Sequence, residues 1–323
     1  MLENAEGSVL APGSERSNVP AVHSLDGFAF AVPDLKEAER FYAAFGLEVQ
    51  RNAARLDLFT HGHPHHWGTV TELPGVRKKL QFLAFGCYES DFEAIRDHLA
   101  RRGYAETQAH PLGRSGGLWI AHPDGFAVQV VPSDKSSPDG KSIPARSATL
   151  RKGTRAAPSR SSVAAVLPRR LSHVLVFTAD VRRAITFYED ALGLRLSDQS
   201  GDTIAFMHGV HGSDHHLIAT AKSLGPGLHH ASWDVASIDE VGMGMEQMLR
   251  AGYPDGWGVG RHVLGSNYFY YVRDPWGSYC EYSFDIDYVP KGYNWPSRDH
   301  PLEDSFYVWG PPVPKEFVTN FEI

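Results

Sequence analysis

His173, His230 and Glu281 are the residues of this chain best suited to do chemistry, each beginning or closing a strand-like segment of its second half. Two imidazoles and one carboxylate on one face of a metal form the facial triad that holds a non-haem Fe(II), with positions left open for substrate and oxygen. Drawn from seventeen histidines, such a set carries little weight alone. Its weight comes from the repeat that frames it.

GFAFAVPDLKEAERFYAAFGLEV, from Gly27, recurs as HVLVFTADVRRAITFYEDALGLRL, from His173, so that Asp34, Phe41, Tyr42 and Gly46 answer Asp180, Phe187, Tyr188 and Gly193. Each copy reads as an alternating strand, an Asp N-cap, an amphipathic helix ending at Gly, and another strand. Further on, FGCYESDFEAIRDHLARRGY matches DVASIDEVGMGMEQMLRAGY, and IAHPDGFAVQVV matches YVRDPWGSYCEYS. An α+β protein follows, with two helix-and-strand modules in each half. The same landmarks set Gly27 opposite His173, Gln81 opposite His230 and Gln129 opposite Glu281. A triad needed for structure would occur twice, whereas one working site beside a degenerate copy is what duplication and specialisation leave. His65 and His66 stand where the second half has His215 and His216, and read as remnants or surface histidines.

The length of 323 residues suits two domains. The divisions are an N-terminal extension (1–22), a domain without metal (23–134), a basic Ser/Pro-rich linker (135–169), a catalytic metal-binding domain (170–287) and an aromatic tail (288–323) able to act as a lid. A net charge of −7 gives no general attraction to nucleic acid or to an anionic membrane. The linker reads as a solvated tether rather than an RNA-binding segment. No apolar run approaches the roughly 20 residues that span a bilayer, and the first residues lack the basic start and apolar core of a secretion signal. A cytoplasmic protein is expected. Cys87 and Cys280, one in each half, read as buried apolar residues rather than a disulfide or zinc pattern.

HVLVFTADVRRAITFYEDALGL, GLHHASWDV and YYVRDPWGSYCEYS resemble the three signature segments of the two-domain extradiol catechol dioxygenases, members of the vicinal oxygen chelate superfamily. The resemblance implies paired βαβββ modules forming a funnel-like mixed sheet in each domain, with iron in the C-terminal funnel alone. It carries over as His173, His230 and Glu281 for the metal, with Glu281 seven residues after the Asp of the DPWG turn. Strand neighbours point to opposite faces, so only one of His229 and His230 can enter the funnel, and the family pattern favours His230. The resemblance also places His216, on the strand before that of His230, as the acid/base. His262 bonds the outer side of the site and Tyr271 bonds the substrate oxygen. His215 is the alternative to His216, and strand alternation puts Tyr271 on the face of Glu281 if the DPWG turn keeps register.

The implied reaction is ring opening of a catechol-type diol by O2 next to the hydroxyl pair, giving a muconic semialdehyde-type product, with Fe(II) as cofactor and a homo-oligomer as the assembly. Mn(II) is the rival metal. Zinc, without a redox change, suits the chemistry less. Rival functions are a glyoxalase-like isomerase, which uses two glutamates, and a metal-free aromatic-binding protein, which has no need of four ionisable groups. Trp257, Phe269, Tyr271, Trp295 and Trp309 are candidate pocket walls, and the tail resembles that of enzymes acting on substituted or polyhydroxylated monocyclic rings.

Overall fold

The computed structural model describes residues 8–9, 20–75, 77–144, 153 and 157–323. Most of the N-terminal extension and the centre of the basic linker lie outside the described residues. The first module runs from β2 (Ser24–Val32), after the short β1 (Ser8–Val9), through α1 (Leu35–Phe45) to β3 (Glu48–Asn52), β4 (Arg55–Thr60) and β5 (His63–Glu72). The second comprises β6 (Lys79–Cys87), α2 (Glu89–Arg101), β7 (Leu118–Ala121) and β8 (Ala127–Pro132). These strands form a seven-stranded sheet in the order β3-β4-β5-β2-β6-β8-β7.

The pattern then repeats. β9 (Arg170–Thr178), α3 (Val181–Leu192), β10 (Arg195–Ser200), β11 (Ile204–His208), the short β12 (Ser213–Asp214) and β13 (Ile218–Lys222) make the third module. β14 (Gly227–Asp234), α4 (Ile238–Arg250), β15 (Gly256–His262), β16 (Tyr268–Arg273) and β17 (Tyr279–Phe284) make the fourth. Each module is thus βαβββ in outline, except that the second has two strands after its helix rather than three. The chain closes with β18 (Tyr288–Val289), β19 (Arg298–Asp299), α5 (Leu302–Ser305) and β20 (Tyr307–Trp309). β19 and β20 extend the second sheet, whose order is β1-β19-β10-β11-β13-β9-β14-β17-β16-β15-β20.

Local chemistry explains the repeated helix. The Asp34 carboxylate accepts hydrogen bonds from the Lys36 and Glu37 backbone N–H groups at 2.8 and 3.1 Å, and Asp180 accepts from Arg183 N at 3.0 Å. Both satisfy donors that a helix start leaves open. Gly46 and Gly193 end the helices at φ of 99° and 68°, a left-handed conformation that only glycine adopts without strain.

The helices lie on one face of the sheets and share a core across the two halves. Phe45 at the end of α1 stacks on Tyr282 of β17 with centroids 4.0 Å apart, and the Tyr282 hydroxyl donates to Phe45 O at 2.8 Å. Gln247 of α4 donates to Ala44 O at 2.8 Å. The back of the strand carrying Glu281 is therefore held by the other half of the chain, which limits how far that strand can shift. The described flanks of the linker also lie on the body. Ser137 N donates to Ser24 Oγ, and Val166 is buried with its N–H on Gln247 Oε1.

Candidate active site

Sheet register brings the three residues together. His173 on β9 is paired with Ser232 on β14, Ser232 with Glu281 on β17, Glu281 with Tyr271 on β16, and Tyr271 with Trp257 on β15. Directly paired residues share a face, so this row puts His173, Glu281 and Tyr271 on the face away from the helices. His230, two residues before Ser232, shares it. Ligand atoms of His173, His230 and Glu281 lie within 4.8 Å of one another, and all three residues are buried. No other group of His, Cys, Asp or Glu among the described residues does this.

Hydrogen bonds assign the free nitrogen of each imidazole. The Ser172 hydroxyl donates to Asp214 Oδ2 at 2.8 Å, so at 3.2 Å from His173 Nδ1 it accepts that ring's proton. His229 Nε2 donates to the carbonyl of Phe317 at 2.6 Å, leaving its Nδ1 to accept from His230 Nδ1 at 2.7 Å. A carbonyl can only accept, and a neutral imidazole has one donor and one acceptor, which fixes both directions. Burial lowers the pKa of His229 to about 4 and that of His230 well below 6.5, consistent with neutral rings. His173 and His230 therefore both present a bare Nε2, at 3.3 and 3.7 Å from Glu281 Oε2.

His230 Nε2 and Glu281 Oε2 are buried without a hydrogen-bond partner among the described residues. Buried polar atoms are nearly always satisfied, and two acceptors facing each other fit a cation between them.

His216 is buried just before β13 rather than on it, because the strand opens only at Ile218. Its ring lies 4.0 Å from that of His173, and its Nδ1 lies 3.0 Å from His215 Nδ1. Burial pushes it well below 6.5, so it is neutral near pH 7. His262 Nδ1 donates to Phe306 O at 2.8 Å, and its Nε2 receives the Tyr271 hydroxyl at 2.9 Å. Sequence reasoning misses Asn267, which donates to Glu281 Oε1 at 3.0 Å and to Ser283 Oγ at 2.9 Å. Nor does it point to Asp198 or Phe317.

The landmark alignment misplaces one residue. In the first sheet Leu80 pairs with Phe30, and Phe82 with Ala29; in the second Leu228 pairs with Val176, and His230 with Leu175. Phe82 therefore stands at the position of His230, and Gln81 at that of His229. Gln129 does occupy the place of Glu281, paired with Ala84 and Trp119. The degenerate funnel is filled by Ala29, Phe82, Ala84 and Trp119, and Gln129 spends its amide on the backbone of Arg114. His65 bonds Asp26 O at 2.7 Å and His66 bonds Gly68 O at 2.8 Å.

Trp257, Phe269, Tyr271, Tyr279 and the tail residue Phe317 form one buried aromatic wall. Trp295 meets His215 edge-on at 5.2 Å, whereas Trp309, 47% exposed on β20, packs toward Tyr268 and not into the site. The tail is anchored by Glu322, which accepts from Leu80 N and Leu228 N at 2.7 and 2.8 Å and pairs with buried Lys78 at 3.2 Å. Glu322→Ala leaves the Lys78 ammonium buried with only the Leu228 carbonyl. It is expected to cost about 3–5 kcal/mol, measured by denaturant unfolding.

Residues 170–282 match the family model Glyoxalase/Bleomycin resistance protein/Dioxygenase superfamily. The fold is that of homoprotocatechuate 2,3-dioxygenase from Arthrobacter globiformis, at a TM-score of 0.73 and 20% identity, with 95% of this chain and 94% of that one covered. Among sequences, Metapyrocatechase 2 of Cupriavidus necator is 54% identical over 318 residues, spanning 97% of this chain and 98% of the relative. The manganese-dependent 2,3-dihydroxybiphenyl 1,2-dioxygenase of Geobacillus genomosp. 3 is 22% identical over 88% of this chain and 92% of its own length. The chain belongs to the two-domain extradiol ring-cleaving dioxygenases of this superfamily, enzymes that use O2 to open an aromatic diol beside its hydroxyl pair. The isomerase and binding-protein readings give way to this one. Among the described residues, no helix is long and apolar enough to cross a membrane.

Proposed function

We propose that this enzyme uses Fe(II), held by His173, His230 and Glu281, to cleave a catechol-type monocyclic diol, with His216 as acid/base. The observation that carries the reading is the pair of partnerless buried acceptors, His230 Nε2 and Glu281 Oε2, in a set of two imidazoles and one carboxylate. Such an iron, when bound, would pass electron density between a diol and O2 fixed side by side. His216 takes a proton from one diol hydroxyl and returns it as the ring opens. The Tyr271 hydroxyl, already given to His262, turns its lone pairs toward the site, where they accept from a substrate hydroxyl and orient it. The aromatic wall from Trp257 to Phe317 excludes water from that exchange.

Catechol itself is the first candidate substrate, in keeping with the metapyrocatechase at 54% identity; substituted and polyhydroxylated rings follow. Both atoms of O2 enter the product, and the bond that breaks is the ring C–C bond next to the diol. The domains at 23–134 and 170–287, the tail at 288–323 as a lid, a homo-oligomeric assembly and a cytoplasmic location complete the proposal.

The test is anaerobic reconstitution with Fe(II) or Mn(II), then mixing with air and catechol, 3-methylcatechol or 2,3-dihydroxybiphenyl. A yellow semialdehyde with stoichiometric oxygen uptake, larger for iron and for the monocyclic diols, is the expected result. Greater turnover with Mn(II) would reverse the metal assignment. Preference for the two-ring diol would reverse the substrate.

A further inference from the structure

We propose that Asp198 and His215 are positioning residues that fix the tautomer of His216, so that the nitrogen it turns to the substrate is a hydrogen-bond acceptor. The inference rests on the proposed acid/base role of His216.

Asp198 lies on β10, paired in register with Phe206 of β11, which in turn pairs with Ala219 of β13. Ala219 pairs with Leu175 of β9, two residues beyond His173, so Asp198 lies on the funnel face of the sheet, four strands from His230. His215 Nε2 is 2.8 Å from Asp198 Oδ2. A carboxylate only accepts, so the proton of that bond belongs to His215 Nε2. With its proton on Nε2, the ring accepts at Nδ1. That nitrogen faces His216 Nδ1 at 3.0 Å, so His216 supplies the proton from Nδ1, and its Nε2 is left bare.

Asp198 is built to stay an acceptor. Besides His215 it meets Arg298 N at 2.9 Å, His300 Nε2 at 3.1 Å and Trp295 Nε1 at 3.3 Å, all from the tail. Trp295 also closes against the edge of the His215 ring. The logic is that already seen at the triad, where Asp214 through Ser172 orders His173, and the Phe317 carbonyl through His229 orders His230. A ring whose tautomer is set by its neighbour needs no rearrangement when the substrate arrives, and such outer partners commonly matter 10–100-fold at metal sites.

Asp198→Asn keeps the shape but can offer an amide N–H to His215 Nε2. Each donor along the chain then reverses, and His216 presents N–H where an acceptor is required. In the iron-loaded enzyme, kcat for catechol is expected to fall on the order of 10²-fold, the low end for a lost acid/base, with KM and metal content unchanged. In a His216→Phe background the same change is expected to lower the residual kcat no further, since the two residues act as a unit. An equal fold-loss from Asp198→Asn in both backgrounds, or loss of metal in step with kcat, would mark Asp198 as merely structural and overturn the inference. An unaltered kcat in Asp198→Asn beside a collapsed His216→Phe would overturn it alone. Full turnover by His216→Phe would sink the reading of His216 as well.

Discussion

Glu281→Gln is expected to abolish metal retention and ring cleavage together while leaving the fold intact. The side chain is completely buried, and the two shapes are nearly identical. Asn267 would still meet an oxygen at the Oε1 position, and the paired rows of β14, β17 and β16 do not depend on the charge. The change falls on Oε2. That atom faces the bare Nε2 of both His173 and His230, and it supplies the only formal negative charge of the three side chains. An amide there is neutral, and its N–H₂ turns toward one of the imidazole lone pairs, closing the space with a hydrogen bond. Elemental analysis after anaerobic reconstitution should show metal only at background. A second reading is thermal. A ligand at a hundred times its dissociation constant stabilises by about 2.7 kcal/mol, worth roughly 5–10 °C in a domain of this size. Added Fe(II) should raise the midpoint of the parent enzyme by that much and leave Glu281→Gln unmoved. Retained metal with lost turnover would mean that the carboxylate acts on the substrate and is not a ligand.

The parts of this site legible in the sequence were those tied to local pattern. The Asp and Gly landmarks mark helix ends by their own chemistry, so the βα repeat could be read directly, and the triad followed from setting one copy against the other. Glu281 and Tyr271 were assigned to one face on the assumption that a four-residue turn keeps register, and the strands do pair them. The assignment of Gln81 fails because eight residues separate His230 from the start of α4 at Ile238 and seven separate Phe82 from the start of α2 at Glu89, so counting back from the matched helices slips by one. Asn267 and Asp198 were invisible for another reason. Their partners, Glu281 on β17 and His215 just after β12, lie 14 and 17 residues away, and an isolated Asn or Asp near a turn has a routine local explanation. Phe317 acts on His229 through its carbonyl, which no side-chain reading can detect. Trp309 was a candidate wall by type alone, and its strand sits at the sheet edge with the indole outward.

His216→Phe is expected to keep the metal and lose about 10² to 10⁴ in kcat, the range for a positioned acid/base. His216 is not one of the three residues whose ligand atoms converge, and its Nδ1 is committed to His215. A phenyl ring can retain the contacts with His173 and Phe206, at centroid distances of 4.0 and 4.9 Å, so the pocket should hold its shape and KM should change little. What is lost is a nitrogen able to take a proton and give it back. Burial keeps the resting ring neutral, so it has a lone pair with which to take the proton. If the proton went to solvent through some other residue, phenylalanine would cost little. Metal content and kcat measured on the same preparation separate the cases: full metal with collapsed kcat supports the acid/base, full metal with full kcat refutes it, and joint loss would draw His216 into the ligand set.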